Sequence, residues 1–305
     1  MIVLEDNFCT KIEECTYVAL GSFDGLHMGH MSLINKAVEL SKKHNEKSMV
    51  FTFKNHPLSL INQDLVPKLL MDNDTKLEHL RKNNIDIVNF AEFNQELMKM
   101  NPEEFIKNMI EAYNVKGIVV GFNFRFGYKN KGDNELLTKL SEKYGFELYV
   151  VGPIKYEGEI VSSSRIRKNI LEGNLKEASN MLTRPYMLRG NVVQGKKNGR
   201  KIGFPTANLG YDNRFVIPKR GVYYTKVEHE GKLYKGITNV GYNPTVGEND
   251  LTIETNILDF SREIYGESLN IYFIERFRDE IKFQSLESLK IQLAADEKYA
   301  RKQEL

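Results

Sequence analysis

The chain has 305 residues, 41% of them hydrophobic, which is enough to build about two folded domains. Lys and Arg number 43 and Asp and Glu 41, so the net charge of +2 gives no whole-protein attraction to nucleic acid or to an acidic membrane. The two cysteines, Cys9 and Cys15, are too few for a disulfide framework, and no apolar run reaches the roughly 18 residues of a membrane span. Composition therefore predicts a cytoplasmic protein from a reducing compartment, with no nucleic-acid or membrane partner.

The first part of the chain alternates between buried-strand runs and amphipathic helical patterns. Predicted strands cover residues 16–23, 48–53, 85–90, 117–124 and 146–152. Predicted helices cover residues 31–44, 101–113 and 134–145. Asn101 and Pro102 are residues typical of a helix start. Strands that alternate with helices in this way indicate a doubly wound α/β sheet.

The pattern changes after two short predicted helices at 164–182. Short alternating runs follow, separated by glycine and charged turns, and this texture is typical of a small antiparallel β-barrel. A last helix is predicted from near Ser285, and its apolar face carries Leu286, Leu289 and Leu293.

This change of pattern marks a predicted domain boundary near Pro185. The first domain, residues 1–184, is predicted to be α/β. The second domain, residues 185–305, is predicted to be a β-barrel with a terminal helix.

The stretch GSFDGLHMGH, residues 21–30, lies between the first predicted strand and the first predicted helix. It carries His27 and His30, while Gly25 and Gly29 permit close backbone approach. Ligands of α/β sheets bind beyond the carboxyl ends of the strands, and a helix N-terminus attracts anions, so two imidazoles here suit nucleotide phosphates. One alternative is a zinc pair, which is disfavoured because a helical pair prefers i,i+4 spacing and no third ligand is near. The other alternative is two structural histidines in a turn.

Two further strand ends carry groups suited to phosphate. The stretch GFNFRFGYKNKGD, residues 121–133, carries amide and basic side chains: Asn123, Arg125, Lys129 and Lys131. The stretch VSSSRIRKN, residues 161–169, places hydroxyls at a helix start and arginines in the next turn: Ser162, Ser163, Ser164, Arg165 and Arg167. Singly, these patterns are typical of a solvated basic loop and of a helix cap. Together with the histidine stretch, they indicate a nucleotide site.

The motifs GSFDGLHMGH and SSSRIR resemble the ATP-binding motifs of the nucleotidylyltransferase superfamily, and GFNFRFG resembles its FMN adenylyltransferase branch. The resemblance implies a Rossmann-like domain that transfers AMP from ATP to FMN. It implies that His27 and His30 are catalytic, contacting the ATP phosphates and stabilising charge at the α-phosphorus. The other ATP-binding residues that it implies are Gly21, Phe23, Asp24, Gly25, Gly29, Asn123, Ser163, Ser164 and Arg167.

A second unusual stretch, GKKNGRKIGFPTANLG at residues 195–210, opens the β-rich half. Thr206 and Asn208 are two residues apart, so on an extended segment their oxygens face the same way and suit Mg²⁺. A turn-and-strand corner with a capping side chain is the structural alternative. The basic residues before them form either a phosphate-covering loop or a solvated hairpin: Lys196, Lys197, Arg200 and Lys201.

Glu254 lies in a predicted strand, LTIETNILDF at residues 251–260. Thr252 and Asn256 share its face of the strand, because side chains alternate between the two faces. Such a glutamate is merely exposed unless this face lines a pocket.

Several stretches of the second half resemble the riboflavin kinase domain: PTAN, NVGYNPTVG (239–247), ETNILDF and the C-terminal RDEIKFQSLESLKIQLAADEKYAR. The resemblance implies a barrel in which Thr206 and Asn208 hold magnesium-ATP and Glu254 is the catalytic base. It also implies that Gly203 and Pro205 contact ATP or the substrate. Both domains in this order resemble the prokaryotic bifunctional riboflavin kinase/FAD synthetase family, so riboflavin, FMN and ATP are the expected partners and Mg²⁺ the expected cofactor.

The two expected reactions need different residues. A riboflavin kinase must activate an alcohol, so a carboxylate base is useful, whereas FMN brings a phosphate nucleophile that is already charged. Asp24 is therefore expected to hold its loop or contact substrate rather than to remove a proton. Two alternatives are a chain with only one working activity and a flavin- or nucleotide-sensing regulator. Candidates for stacking on the flavin, or for core packing, are Phe53, His56, Phe124 and Phe126.

Overall fold

The computed structural model describes residues 1–195, 199, 202–242 and 251–305. These residues form two compact units. The first unit contains Met1–Pro67 and Asp72–Ser162, and the second contains Lys68–Met71 and Ser163–Leu305. The residues from Ser163 to 184 therefore group with the second unit, and the domain boundary at 184/185 stays a prediction.

The first unit is built on a six-stranded sheet in which all strands are parallel. Its strands are β1 (Ile2–Leu4), β2 (Thr16–Leu20), β3 (Lys47–Phe53), β4 (Ile87–Ala91), β5 (Val115–Gly121) and β6 (Glu147–Val151). Their order is β1-β4-β3-β2-β5-β6, so the sheet grows from β2 first to one side and then to the other. This order confirms the predicted doubly wound α/β fold. Strand β1 is absent from the prediction because three residues give too short a pattern.

Helices connect these strands. They are α1 (Met28–His44), α2 (Asn73–Lys82), α3 (Gln95–Lys99), α4 (Pro102–Tyr113) and α5 (Asn134–Tyr144), and a hairpin of β7 (Lys155–Tyr156) and β8 (Glu159–Ile160) follows β6. Asn101 caps α4 and Pro102 is its first residue, as the sequence predicts. Helix α2 is absent from the prediction because its buried face carries Thr75 and Lys76 beside Leu80, which is not an apolar stripe.

The second unit begins with α6 (Ser163–Glu172) and α7 (Leu175–Leu182), the two short helices that the sequence predicts. A closed antiparallel barrel follows, with the order β10-β13-β12-β11-β14-β9. Its strands are β9 (Tyr186–Val193), β10 (Ala207–Gly210), β11 (Gly221–His229), β12 (Lys232–Tyr242), β13 (Leu251–Ile257) and β14 (Ser268–Arg278). The predicted small antiparallel barrel is thus confirmed.

A hydroxyl ladder crosses the barrel interior. The Oγ1 atoms of Thr225 and Thr238 are 2.8 Å apart, and those of Thr238 and Thr255 are 2.9 Å apart. All three residues are fully buried, and they lie on the neighbouring strands β11, β12 and β13. Each hydroxyl therefore has a partner in an interior where an unpaired one would be costly.

The terminal helix is α8 (Leu286–Lys302), which Ser285 caps. The apolar face predicted from Leu286, Leu289 and Leu293 continues to Asp296 and Ala300, which are the helix residues that are buried. Leu286 is 67% exposed, so the first turn lies outside the packed part of the helix. Within the described ranges, no helix combines the length and the apolar character needed to cross a membrane.

Candidate functional site

The histidine stretch lies at the point where the strand order of the sheet reverses. Strand β2 pairs with β3 on one side and with β5 on the other. Strand β3 follows β2 directly in the sequence, whereas β5 follows only after β4. Ligands of open α/β sheets bind at such a switch point, beyond the carboxyl ends of the strands. Residues 21–27 follow β2 and residues 122–127 follow β5, so both predicted loops leave the sheet at this edge.

The turn after β2 is tight, and its backbone conformation is unfavourable in free energy. Phe23 and Leu26 have φ angles of 49° and 40°, and Gly25 has a φ of 83°. Left-handed backbone costs about 1–3 kcal/mol at a residue with a side chain, so the surrounding structure must hold it in place. The side chains of Phe23 and Leu26 are fully buried and anchor the turn from inside.

The two histidines form a stacked pair at the start of α1. The Nδ1 atom of His27, which caps the helix, accepts the backbone N–H of His30 at 3.3 Å. The ring centroids are 3.6 Å apart with 20° between the planes, and the ring of Phe23 meets that of His30 edge-on. A Cβ atom at Gly29 would lie 3.2 Å from the His27 ring, so glycine permits this packing. His27 is 4% exposed and His30 is half-buried, which makes His30 the more accessible imidazole.

Asn123 lies exposed on the loop after β5. The side-chain amide of Asn134 donates to the carbonyl oxygens of Gly121 and Phe122, and it thereby fixes the start of this loop. Arg125 forms an ion pair with Asp133 at 2.9 Å.

Two aromatic side chains of this loop differ in their surroundings. The Phe126 ring is buried in the core of the first unit, stacked on Phe124 at 5.6 Å, so core packing explains it. Phe122, by contrast, is 43% exposed.

The predicted hydroxyl-and-arginine motif begins α6 in the second unit. Ser163 and Ser164 lie in the first turn of this helix, and Arg167 follows one turn later. The Nε atom of Arg167 donates to the carbonyl oxygen of Lys68 at 2.6 Å. The contacts of these three residues with ATP stay a prediction.

The candidate kinase residues lie on paired strands. Asn208 on β10 lies directly opposite Glu254 on β13, and Glu254 lies opposite Asn239 on its other side. Side chains at directly opposed positions share a face with Cβ atoms about 4.5–5.5 Å apart. Thr206 lies two residues before Asn208 and just before the start of β10, and the Asn256 amide donates to the Pro205 carbonyl oxygen at 2.7 Å. The strand register thus brings Asn208 and Glu254 together, while Thr206 precedes the paired residues of β10.

Two glycines pack against these residues. A Cβ atom at Gly195 would collide with the side-chain amide of Asn208, and one at Gly199 would collide with the carbonyl oxygen of Phe204 and lie 3.6 Å from Thr206 Oγ1. Gly203 has a φ of 87°, which suits glycine. The predicted phosphate-covering residues, Lys196, Lys197, Arg200 and Lys201, and positions 243–247 of the stretch NVGYNPTVG lie outside the described residues.

A cavity of about 470 Å³ opens on the other face of this strand pair, the face that carries Ala207 and Thr255. Pro205, Thr206 and Thr255 line it together with the segment from Phe260 to Tyr265. Glu254 lies on the opposite face of β13 from the lining residue Thr255, next to it in sequence. Glu254 is therefore not among the residues that line this cavity.

Comparison with known proteins assigns a different family model to each half of the chain. A family model described as FAD synthetase matches residues 9–165, and one described as riboflavin kinase matches residues 182–304. A bifunctional riboflavin kinase/FMN adenylyltransferase from Listeria monocytogenes is 38% identical over 93% of this chain and 91% of its own. The Bacillus subtilis protein of the same name is 34% identical over 93% and 90%. The chain belongs to the bifunctional riboflavin kinase/FMN adenylyltransferase family.

The likeness extends to a solved structure. A crystal structure from Streptococcus pneumoniae, described as a macrolide-efflux protein, matches this chain with a TM-score of 0.91 and 33% identity, covering 100% of both chains. The expected fold, the order of the two domains and the pair of transferase activities are therefore confirmed for this member of the riboflavin kinase/FMN adenylyltransferase family.

Sequence reasoning missed one charged network in the kinase half of this family member. Arg262, on the segment that lines the cavity, contacts Glu230 at 3.1 Å and Glu267 at 2.8 Å. The buried His229 approaches Glu267 at 2.7 Å, and this hydrogen bond lowers the pKa of the Glu267 carboxyl. In the described part of the chain, His229, Glu230 and Glu267 are the one group spaced to hold a metal ion, but Arg262 already contacts both carboxylates. The network fastens the lining segment to the barrel.

A buried lysine was also missed. Lys76 on α2 is 5% exposed, and its Nζ atom donates to the Ser22 carbonyl oxygen at 3.2 Å. Nothing in the local pattern of α2 marks this residue, because a lysine in a polar helix is normally solvated.

Proposed function

We propose that residues 21–30 and Asn123 form the adenylyl-transfer site, with His27 and His30 as its catalytic residues. The observation that carries this assignment is the stacked imidazole pair at a helix N-terminus, at the switch point of the sheet. Ser163, Ser164 and Arg167 are proposed to complete the ATP site, since hydroxyl and guanidinium groups suit phosphate.

The proposed chemistry at this site needs charge stabilisation and no base. A phosphate oxygen of FMN attacks the α-phosphorus of ATP, the α–β phosphoanhydride bond breaks, and pyrophosphate leaves. The nucleophile is already anionic, so the barrier lies in bringing anions together and in the charge that develops on phosphorus. Because His27 Nδ1 accepts the His30 N–H, the Nε2 atom carries the proton of the neutral ring.

We propose that Glu254 is the base of the kinase site. Its support is the register that sets Glu254 opposite Asn208 on one side and opposite Asn239 on the other. Glu254 takes the proton of the terminal ribityl hydroxyl of riboflavin while that oxygen attacks the γ-phosphorus of ATP and ADP leaves. A positioned base of this kind contributes about 10²–10⁴-fold in rate.

Thr206 and Asn208 are proposed to hold Mg²⁺. A hydroxyl and an amide oxygen are ligands that this ion accepts, with phosphate oxygens and waters supplying the rest. The fit is supported by the close packing of Gly195 against the Asn208 amide, which keeps that side chain in place on the shared face. When bound, the ion would neutralise charge on the transferring phosphoryl group.

A crossed pair of variants tests both assignments. We expect His30→Ala to reduce FAD formation from FMN by about 10²–10³-fold and to leave riboflavin phosphorylation unchanged. We expect Glu254→Gln to reduce FMN formation by about 10²–10⁴-fold and to leave FAD formation from added FMN unchanged. The measurement is separation of the flavins by chromatography after incubation with ATP and Mg²⁺. Loss of both activities in either variant would contradict two separate sites.

We also propose that the protein works in the cytoplasm and binds its flavins there. The support is the presence of two free thiols, Cys9 and Cys15, since a reducing compartment keeps cysteines unpaired. Fractionation of cells with detection of the chain in the soluble cytoplasmic fraction tests this location. Recovery in a membrane fraction or outside the cell would contradict it.

A further inference from the structure

Lys76 lies beneath the tight turn that carries the histidines. The carbonyl oxygen of Ser22, the residue that begins this turn, accepts two hydrogen bonds from outside it. One comes from Thr52 Oγ1 on β3 at 3.0 Å, and the other comes from Lys76 Nζ on α2 at 3.2 Å. The turn is therefore pinned at one atom from a strand and from a helix that lie far away in the sequence.

The surroundings of the Lys76 amino group are apolar on one side and acidic on the other. The ring of Phe90 lies 6.0 Å from Nζ, and the carboxylates that face the amino group are Asp24 in the turn and Asp72 at the start of α2. Burial lowers the pKa of Lys76 to about 8, while Asp24 and Asp72 oppose this shift. Asp72 already accepts the backbone N–H of Thr75 at 2.6 Å as the cap of α2. Asp24, which is 9% exposed, is the carboxylate of the motif itself.

Stability does not account for this arrangement. A buried ammonium loses its hydration, and an apolar side chain of similar length would fill the same space without that cost. What the charge does supply is an anchor for a turn whose left-handed residues, Phe23 and Leu26, need support from their surroundings. It also adds positive charge next to the place where the polyanionic nucleotide is proposed to bind.

We propose that Lys76 is a positioning residue for adenylyl transfer, which holds the Ser22 carbonyl and Asp24 so that His27 and His30 meet the phosphates of ATP. The inference rests on the proposed assignment of this turn to the adenylyl-transfer site. Lys76 acts through the turn rather than on the reacting atoms, so its loss affects the geometry of the imidazoles.

The principal test is Lys76→Met in the full chain, assayed at neutral pH. We expect kcat for FAD formation from FMN to fall about 10–100-fold, since small displacements of catalytic groups have effects of that size, while KM for ATP changes less than kcat. Riboflavin phosphorylation by the same chain is expected to be unchanged. Lys82→Met, at the exposed end of the same helix, is the matched control and is expected to leave both activities unchanged.

Two further variants separate the charge from the hydrogen bond. Lys76→Gln keeps a donor and removes the charge, whereas Lys76→Arg keeps both. We expect Lys76→Arg to retain more FAD formation than Lys76→Gln, and Lys76→Gln to retain more than Lys76→Met. If kcat for FAD formation in Lys76→Met stays within about twofold of the wild type, the proposal is wrong.

A measurement on the unaltered protein covers the case in which a variant does not fold. Because the protonated form is the one proposed to act, kcat for FAD formation is expected to fall as the pH rises through about 8, while a profile that stays flat to pH 10 would overturn the proposal. The His30→Ala variant shows whether a negative result concerns the role of Lys76 alone or the assignment of the adenylyl-transfer site. If His30→Ala is inactive and Lys76→Met is active, the site assignment stands and the role of Lys76 falls; if His30→Ala is active, the site assignment itself falls.

Discussion

The two candidate sites are held in place by different means. In the first unit, the imidazoles proposed to be catalytic follow a turn with left-handed residues, and Thr52 and Lys76 donate hydrogen bonds to that turn. In the barrel, Asn208 and Glu254 are fixed by the ladder of backbone hydrogen bonds between β10 and β13. A site on a loop therefore needs supporting contacts from residues that are distant in the sequence. A site on paired strands is positioned by the register of those strands. This difference predicts where each site is vulnerable.

The largest expected effect concerns the buried anchor of the first unit. The pKa of Lys76 is lowered from 10.5 to about 8, so between these pH values the unfolded chain binds more protons than the folded one. The free energy of unfolding of the wild type is therefore expected to rise between pH 8 and pH 10.5, by roughly 3 kcal/mol relative to Lys76→Met. Below pH 8 the difference is constant, with Lys76→Met the more stable protein.

Denaturant titrations of both proteins at pH 7, 9 and 10.5 measure this difference. Lys82→Met serves as the control for loss of a lysine from the same helix, and it is expected to follow the wild type. Parallel curves for the wild type and Lys76→Met across this range would show that the buried amine does not titrate on folding.

The next effect tests the packing that holds the strand-borne site. In Gly195→Ala, the added methyl group collides with the Asn208 amide and displaces a proposed magnesium ligand. We expect riboflavin phosphorylation to fall on the order of 10²-fold, with FAD formation from FMN unchanged. Gly152→Ala is the matched control because its Cβ atom meets nothing within 4 Å. Unchanged riboflavin phosphorylation in Gly195→Ala would show that the position of the Asn208 amide does not affect catalysis.

A smaller effect is expected for the hydroxyl of Thr206. In Thr206→Val, the shape of the side chain is kept and one proposed oxygen ligand is lost, so the magnesium concentration for half-maximal kinase activity is expected to rise about 10-fold. Asn256→Ala, which removes a hydrogen bond to Pro205 from the same face, is the comparison for simple disturbance of this corner. Identical magnesium titrations for the wild type and Thr206→Val would exclude Thr206 as a ligand.

The smallest effect concerns the histidine pair. In Gly29→Ala, the Cβ atom lies 3.2 Å from the His27 ring, so the ring must move by only a few tenths of an ångström. We expect FAD formation to fall about threefold, in keeping with the modest cost of overpacking at a site that can give way. A loss as large as that of His30→Ala would mean that the stacked geometry tolerates no displacement.

The parts of the fold with strong periodic patterns were accessible from the sequence. The strands that carry the site loops, helix α4 with its Asn101 cap, and the alternation that sets Glu254 and Asn256 on one face of β13 all follow from local patterns. The proposed chemistry of the two candidate sites rests on motif resemblance and on what each nucleophile needs, and it stays a prediction.

The remaining features depend on contacts between distant residues. Helix α2 has a polar buried face, and the role of Lys76 appears only when α2 is placed against the turn at Ser22. The pairing of Asn208 with Glu254 joins residues 46 positions apart, and it requires the register of β10 against β13. Local sequence patterns carry no information on either contact.

The hydroxyl ladder of Thr225, Thr238 and Thr255 has a consequence for the kinase site. If β13 slipped by one residue against its neighbours, Thr255 would leave the interior, the ladder would break, and the carboxylate of Glu254 would enter an apolar space. Both penalties oppose the same error. The ladder thus favours the correct alignment of β13 with its neighbours, and it keeps the side chain of the proposed base directed away from the barrel interior.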